Sequence, residues 1–104
     1  MFKRILFSIF LVSILFIPLQ NISAQEPSGI NIYFFWGEGC PHCAKEKPFL
    51  DKMKQKYPQL VIHDFEVWKN AKNRQLMVEF GQKLNANVNG VPFTVIGEKY
   101  VTGW

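Results

Sequence analysis

WGEGCPHC, residues 36–43, contains both cysteines of a 104-residue chain, two residues apart with a proline and a histidine between them. What precedes and follows this stretch decides the fold. Upstream, Ile30 to Trp36 (INIYFFW) is a short β-branched and aromatic run between glycines, the pattern of a buried strand. Downstream, Pro41 suits the first position of a helix, where a missing N–H costs nothing. Phe49, Leu50, Met53 and Tyr57 recur at helical spacing and Tyr57-Pro58 ends the pattern, so a helix is predicted over Pro41 to Tyr57, kinked by Pro48. The cysteines therefore stand where a strand gives way to a helix.

That position has chemical consequences. The unpaired N–H groups and positive dipole end of a helix N-terminus favour thiolate over thiol at Cys40. Such settings lower a cysteine pKa from about 8.5 to roughly 3.5–7.5. Cys43, one turn into the helix, is within reach and more shielded. The pair suits an attacking thiolate, Cys40, that forms a mixed disulfide, and a resolving thiol, Cys43, that releases it. His42 adds a ring able to donate to the Cys40 sulfur. Two other readings stay open. A disulfide across so short a loop removes little unfolded-state entropy, which counts against a structural staple. A structural zinc site needs four ligands. The chain has two cysteines and two histidines, with His63 on another strand, so a metal reading points to soft Cu(I) rather than Zn.

Further along, Leu60 to Trp68 (LVIHDFEVW) is a second strand, with Val61, His63, Phe65 and Val67 on one face and Asp64 and Glu66 on the other. Lys69 to Ala86 reads as an amphipathic helix with Leu76, Met77, Phe80 and Leu84 as its stripe. Asn85 to Gly90 is a polar turn, Phe93 to Ile96 a third strand, Gly97-Glu98 a tight turn and Lys99 to Thr102 a fourth strand. The order is β-α-β-α-β-β, an α/β class with the first two strands parallel through a right-handed crossover. Two helices cover four strands, so a closing C-terminal element is expected to be missing from this chain.

The N-terminus carries Lys3 and Arg4, an apolar run from Ile5 to Leu19 and a small residue, Ala24, after a polar stretch, the order of a secretory signal peptide. The expected organisation is a leader or N-terminal anchor over 1–24, a linker over 25–29 and one domain over 30–104. The net charge of +4 includes Lys3 and Arg4, so the domain itself is only mildly basic. No basic run interleaved with aromatics marks a nucleic-acid surface. Lys45, Lys47, Lys52, Lys54 and Lys56 follow one helix and read as a solvated face. An exported chain meets an oxidising compartment in which a cysteine pair can persist as a disulfide.

Other residues carry two readings each. His63 is most simply a partly buried strand histidine. Glu38 is a solvated turn acid or a proton carrier for the cysteines. Trp36, beside the turn, is either core or a platform for substrate. Val91-Pro92 is either a plain turn or a cis peptide that presents the backbone of Val91 to an extended substrate.

Taken together, WGEGCPHC, Pro48, Asn89-Gly90-Val91-Pro92 and the hairpin Val95 to Val101 before Gly103-Trp104 resemble the thioredoxin superfamily over Ile30 to Trp104. The resemblance implies a thioredoxin-like fold with a central four-stranded mixed sheet, a cis Pro92 beside the cysteines, Cys40 as nucleophile and a Cys40–Cys43 pair that cycles between dithiol and disulfide. The Cys-Pro-His-Cys tetrad looks like that of the periplasmic oxidant DsbA, while the compact element order is more similar to glutaredoxin. Two departures stand out. Phe34 occupies the position where thioredoxins carry a buried Asp, so that proton relay is expected to be absent, and Gly39 stands where a Trp usually precedes the first cysteine. The expectation is an exported thiol–disulfide oxidoreductase acting on protein thiols and disulfides, with a membrane redox partner and without cofactor, metal or nucleic acid. The candidate catalytic residues are Cys40, Pro41, His42 and Cys43, and the candidate substrate-binding residues are Trp36, Val91 and Pro92. The alternative is a copper-binding or non-catalytic module of a larger membrane protein.

Overall fold

The computed structural model describes residues 29–104. The leader and most of the linker expected from the sequence lie outside the described residues. Among those described, no helix is long and apolar enough to cross a membrane.

Six elements follow in the expected order: β1 (Ile30–Trp36), α1 (Pro41–Lys56), β2 (Leu60–Glu66), α2 (Ala71–Lys83), β3 (Phe93–Ile96) and β4 (Lys99–Thr102). They form one mixed sheet in the order β2-β1-β3-β4. The strand β1 is central because both its faces are apolar. It pairs in parallel with β2, from Ile30 opposite Leu60 to Trp36 opposite Glu66. On its other edge it runs antiparallel to β3, with Phe35 opposite Phe93. A hairpin then joins β3 to β4, with Gly97 at φ +60°, the positive φ that tight primed turns require.

Side-chain alternation along β1 divides the core into two clusters, one on each face of the sheet. Ile32 and Phe34 pack under α1 with Cys40, Cys43, Leu50 and Leu60. Phe35 packs under α2 with Val67, Met77, Phe93 and Val95. Phe35 and Phe93 are fully buried. Full burial of side chains of this size is worth about 1.5–3 kcal/mol each.

The structure shifts three details of the sequence reading. First, α1 buries Cys43, Glu46 and Leu50, with Met53 packed against the same cluster. Phe49 and Tyr57, expected on the buried stripe, are exposed. The docked face is set by the cysteines lying against Ile32 and Phe34, and Phe49 is rotated off it to meet the Trp104 ring at 4.8 Å. Second, β2 ends at Glu66 rather than Trp68, because the Glu66 side chain turns the chain by accepting the Lys69 N–H. Third, α2 is shorter than Lys69 to Ala86. The Asn70 side chain caps it by accepting the Asn73 N–H, and Asn85, at φ +55°, leaves the helical conformation just past its end. Pro48 lies inside an uninterrupted α1.

Candidate active site

The turn from β1 into α1 is built by small residues. A hydrogen bond from the Cys40 N–H to the Gly37 carbonyl closes it at 3.0 Å. Gly39 sits at φ +88°, a conformation that side chains with a Cβ rarely adopt, which accounts for glycine immediately before the first cysteine. A Cβ on Gly37 would run into the Trp68 ring. Glu66 then fastens this turn from below: its carboxylate accepts the Glu38 N–H at 2.7 Å and the Lys69 N–H at 2.6 Å. The Lys69 N–H is the main reason its carboxyl lies below the usual range.

Cys40 is the N-cap of α1, and its sulfur accepts the Cys43 N–H at 3.2 Å. Pro41 follows at the start of the helix. Cys40 and Cys43 are joined as a disulfide, with Cα atoms 5.3 Å apart. Both are buried, Cys43 more deeply, at 3% exposure against 6%. The helix thus supplies a backbone donor to the Cys40 sulfur from the structure's own first turn. His42 is exposed on that turn, and among the described residues its ring makes no hydrogen bond to the sulfur.

A cavity of about 300 Å³ opens beside the disulfide, lined by Phe34, Trp36, Cys40, Pro41, Cys43 and Lys47 among others. Trp36 is held from two sides. Its indole Nε1 donates to Asp64 at 3.1 Å, and the Lys47 ammonium lies 4.1 Å from the ring centroid. Val91 packs against the cluster that holds the cysteines, and the Val91-Pro92 peptide is cis. Trp36 lines the cavity beside the cysteine pair, whereas Val91 packs against both core clusters and is not among the cavity's lining residues. Pro92 is fully buried, and its carbonyl accepts the Gly103 N–H at 2.8 Å.

His63 lies on the opposite face of the sheet from the cysteines. It stacks on Tyr33 at 5.0 Å, and its Nε2 is 3.0 Å from the Asn31 Oδ1. Glu38 forms an exposed ion pair with Lys69 at 2.7 Å. No group of three His, Cys, Asp or Glu side chains among the described residues converges as a metal site.

The sequence reading did not single out Glu46. This residue is 2% exposed and follows Cys43 by one turn on the same buried face of α1. Its Oε1 accepts the Thr94 hydroxyl, while its Oε2 is buried without a hydrogen-bond partner. Burial raises its pKa above the ordinary carboxyl value, with the Thr94 bond opposing. Phe34 is apolar and buried, as read, so no carboxyl stands on that strand position. A buried carboxyl nevertheless stands one helical turn past Cys43, supplied by the helix. The available signal was spacing: Cys43, Glu46, Leu50 and Met53 form an i, i+3, i+7, i+10 series with an acid in an otherwise apolar row.

The Glu66 brace has a pH signature. A carboxyl whose pKa is lowered by folding contributes stability above the unfolded carboxyl range and loses it as pH falls through the folded pKa. The Glu38 and Lys69 amide proton resonances are therefore expected to shift together on acidification, with a midpoint below 4.5. Glu66→Gln should abolish that shared NMR titration. Independent midpoints for the two amides would show that no common carboxylate holds them.

No protein-family model matches the sequence, and no curated protein does so significantly. Comparison with solved structures does find relatives in shape. The chain is similar to thioredoxin f2 of Chlamydomonas reinhardtii, at TM-score 0.51 and 20% identity over 76% of this chain and 70% of that one. It is also similar to a glutaredoxin of Archaeoglobus fulgidus, at TM-score 0.49 and 19% identity over 82% of this chain and 85% of that one. The described residues have a thioredoxin-like fold, with the cysteine pair at the strand-to-helix turn.

Proposed function

We propose that this protein is an exported thiol–disulfide oxidoreductase whose Cys40–Cys43 pair exchanges disulfides with cysteine pairs of other exported proteins. The observation that carries the reading is the capped cysteine. Cys40 ends a turn in front of α1, receives a helix N–H on its sulfur and is bonded to Cys43 beside an open apolar cavity. The thioredoxin-like fold supports it. Export rests on the leader-like N-terminus. An exported pair needs its redox state restored outside the cytoplasm, so the partner that recycles it is proposed to be a membrane redox protein.

In the reducing direction, the Cys40 thiolate attacks a client disulfide, forming the Cys40–client bond and expelling the other client sulfur as thiolate, which takes up a proton. Cys43 then loses its proton, attacks the Cys40 sulfur, and releases the second client thiolate. Two electrons pass from the Cys40–Cys43 dithiol to the client, and the protein ends as the disulfide. The reverse sequence oxidises a client dithiol. Glu46 is the proposed acceptor of the Cys43 proton. It is one helical turn away, at a spacing that puts Cβ atoms about 5–6 Å apart, and its Oε2 has no hydrogen-bond partner.

Alkylation of the reduced protein tests the assignment. Near neutral pH, iodoacetamide is expected to label Cys40 at least about 10-fold faster than Cys43, with a rate midpoint below the ordinary thiol pKa of about 8.5. Equal labelling, or Cys43 first, would remove Cys40 as the nucleophile.

A further inference from the structure

The cavity beside the disulfide has an uneven lining. Phe34, Trp36, Pro41 and Ala44 make it apolar, and Lys47 is the one lysine, arginine or carboxylate among its lining residues. Lys47 stands one turn beyond Cys43 on α1, with its ammonium over the Trp36 ring. It forms no ion pair among the described residues. Asp51, one turn further along α1, forms no ion pair with it, and two carboxylates of the strand-and-turn side are engaged elsewhere. Asp64 accepts the Trp36 indole N–H on the strand side, and Glu38 pairs with Lys69. The positive end of α1 faces the same mouth. A cation resting on an aromatic face in a water-accessible cleft is available to a second, anionic partner, because the ring engages one side of the ammonium and leaves N–H donors on the other.

We propose, building on the oxidoreductase reading, that Lys47 makes this protein prefer acidic clients: polypeptides in which an Asp or Glu lies next to the cysteine that bonds Cys40. The client's neighbouring side chain enters the cavity against Trp36 and Pro41, and its carboxylate meets the Lys47 ammonium at the rim. Charge complementarity of this kind acts on encounter and register more than on intrinsic reactivity. It selects among clients without changing the exchange chemistry. Lys47 is thus a specificity residue.

The test uses the reduced full chain and three synthetic peptide disulfides identical except for Glu, Gln or Lys after the reacting cysteine. The second-order exchange rate is measured for each. The wild-type order is expected to be Glu above Gln above Lys. One partly screened charge pair should separate neighbours by about 3- to 10-fold. Raising salt from about 0.05 M to about 1 M should shrink the ratio, because the screening length falls to about 3 Å. In Lys47→Met the Glu-to-Gln ratio should approach one, and in Lys47→Glu the order should invert. Only ratios within each variant are compared, so a general change in reactivity does not affect the result. Exchange without a charge preference, or a preference that survives in Lys47→Met, overturns the proposal and leaves the oxidoreductase reading standing. No exchange with any of the three peptides overturns both.

Discussion

Cys43→Ser is expected to halt exchange at its midpoint. With Cys40 intact, the variant should still attack client disulfides, but the mixed disulfide then lacks its resolving thiol. Intramolecular resolution benefits from effective molarities far above any free thiol concentration, up to about 10⁵ M or more. Its loss should therefore slow client release by at least about 10³-fold. Clients should accumulate as adducts visible on non-reducing gels and removed by dithiothreitol. Cys40→Ser should lose turnover to background and accumulate no adducts. This asymmetry follows from the geometry: Cys40 caps the helix and accepts the Cys43 N–H, while Cys43 is the deeper of the two. Adducts on Cys40→Ser but not on Cys43→Ser would reverse the roles. Turnover by both single variants would exclude the dithiol cycle altogether.

The fold was legible in the sequence because its central strand is so strongly patterned. Ile30 to Trp36 is apolar on both faces, which suits only a strand covered on both sides, and the strand–CxxC–helix order places the cysteines at the turn. The two closing strands were legible from Gly97-Glu98, since a short β-hairpin turn announces itself in composition. Less legible was the rotation of α1. Phe49 and Leu50 are adjacent and equally apolar, so periodicity could not tell which faces the sheet; the docking of Cys43 against Phe34 and Ile32 decides it. Element ends were set by side-chain hydrogen bonds, from Glu66 to the Lys69 N–H and from Asn70 to the Asn73 N–H, which hydrophobic pattern does not encode. At the site, the cysteines were visible from spacing alone. The two-sided hold on Trp36 was not, because Asp64 and Lys47 reach it from a neighbouring strand and from the helix. Glu46 was hidden for a different reason. Beside Lys45 and Lys47 it looks like part of an exposed charged run, and only the fold shows that it alone of the three points inward.

That inward carboxyl leads to the second large effect. Burial raises the Glu46 pKa, so folding favours its protonated form. A raised carboxyl contributes its full share of stability below the unfolded pKa and loses it as pH rises through the folded one. Wild-type stability should therefore decline from the ordinary carboxyl range, near 4.5, through the raised value, and then level off. Glu46→Gln keeps an oxygen for the Thr94 hydroxyl but cannot ionise, so this part of the pH dependence should vanish and the variant should be the more stable near neutrality. Chemistry should suffer in the opposite sense. Without an acceptor, Cys43 must ionise unaided in an apolar setting, and general-base assistance is worth about 10²–10⁴-fold. Release of a preformed mixed disulfide by Cys43 is expected to slow by about 10²-fold at neutral pH and to recover as pH rises past the thiol's own ionisation, above about 8.5. A residue that merely packs one turn past Cys43 would alter stability without moving the pH profile of release. Stopped-flow release rates across pH, set beside denaturant midpoints for the same two proteins, separate these cases. An unchanged profile in Glu46→Gln would remove the carboxyl from the proton path and leave it as an interior link between α1 and β3 through Thr94.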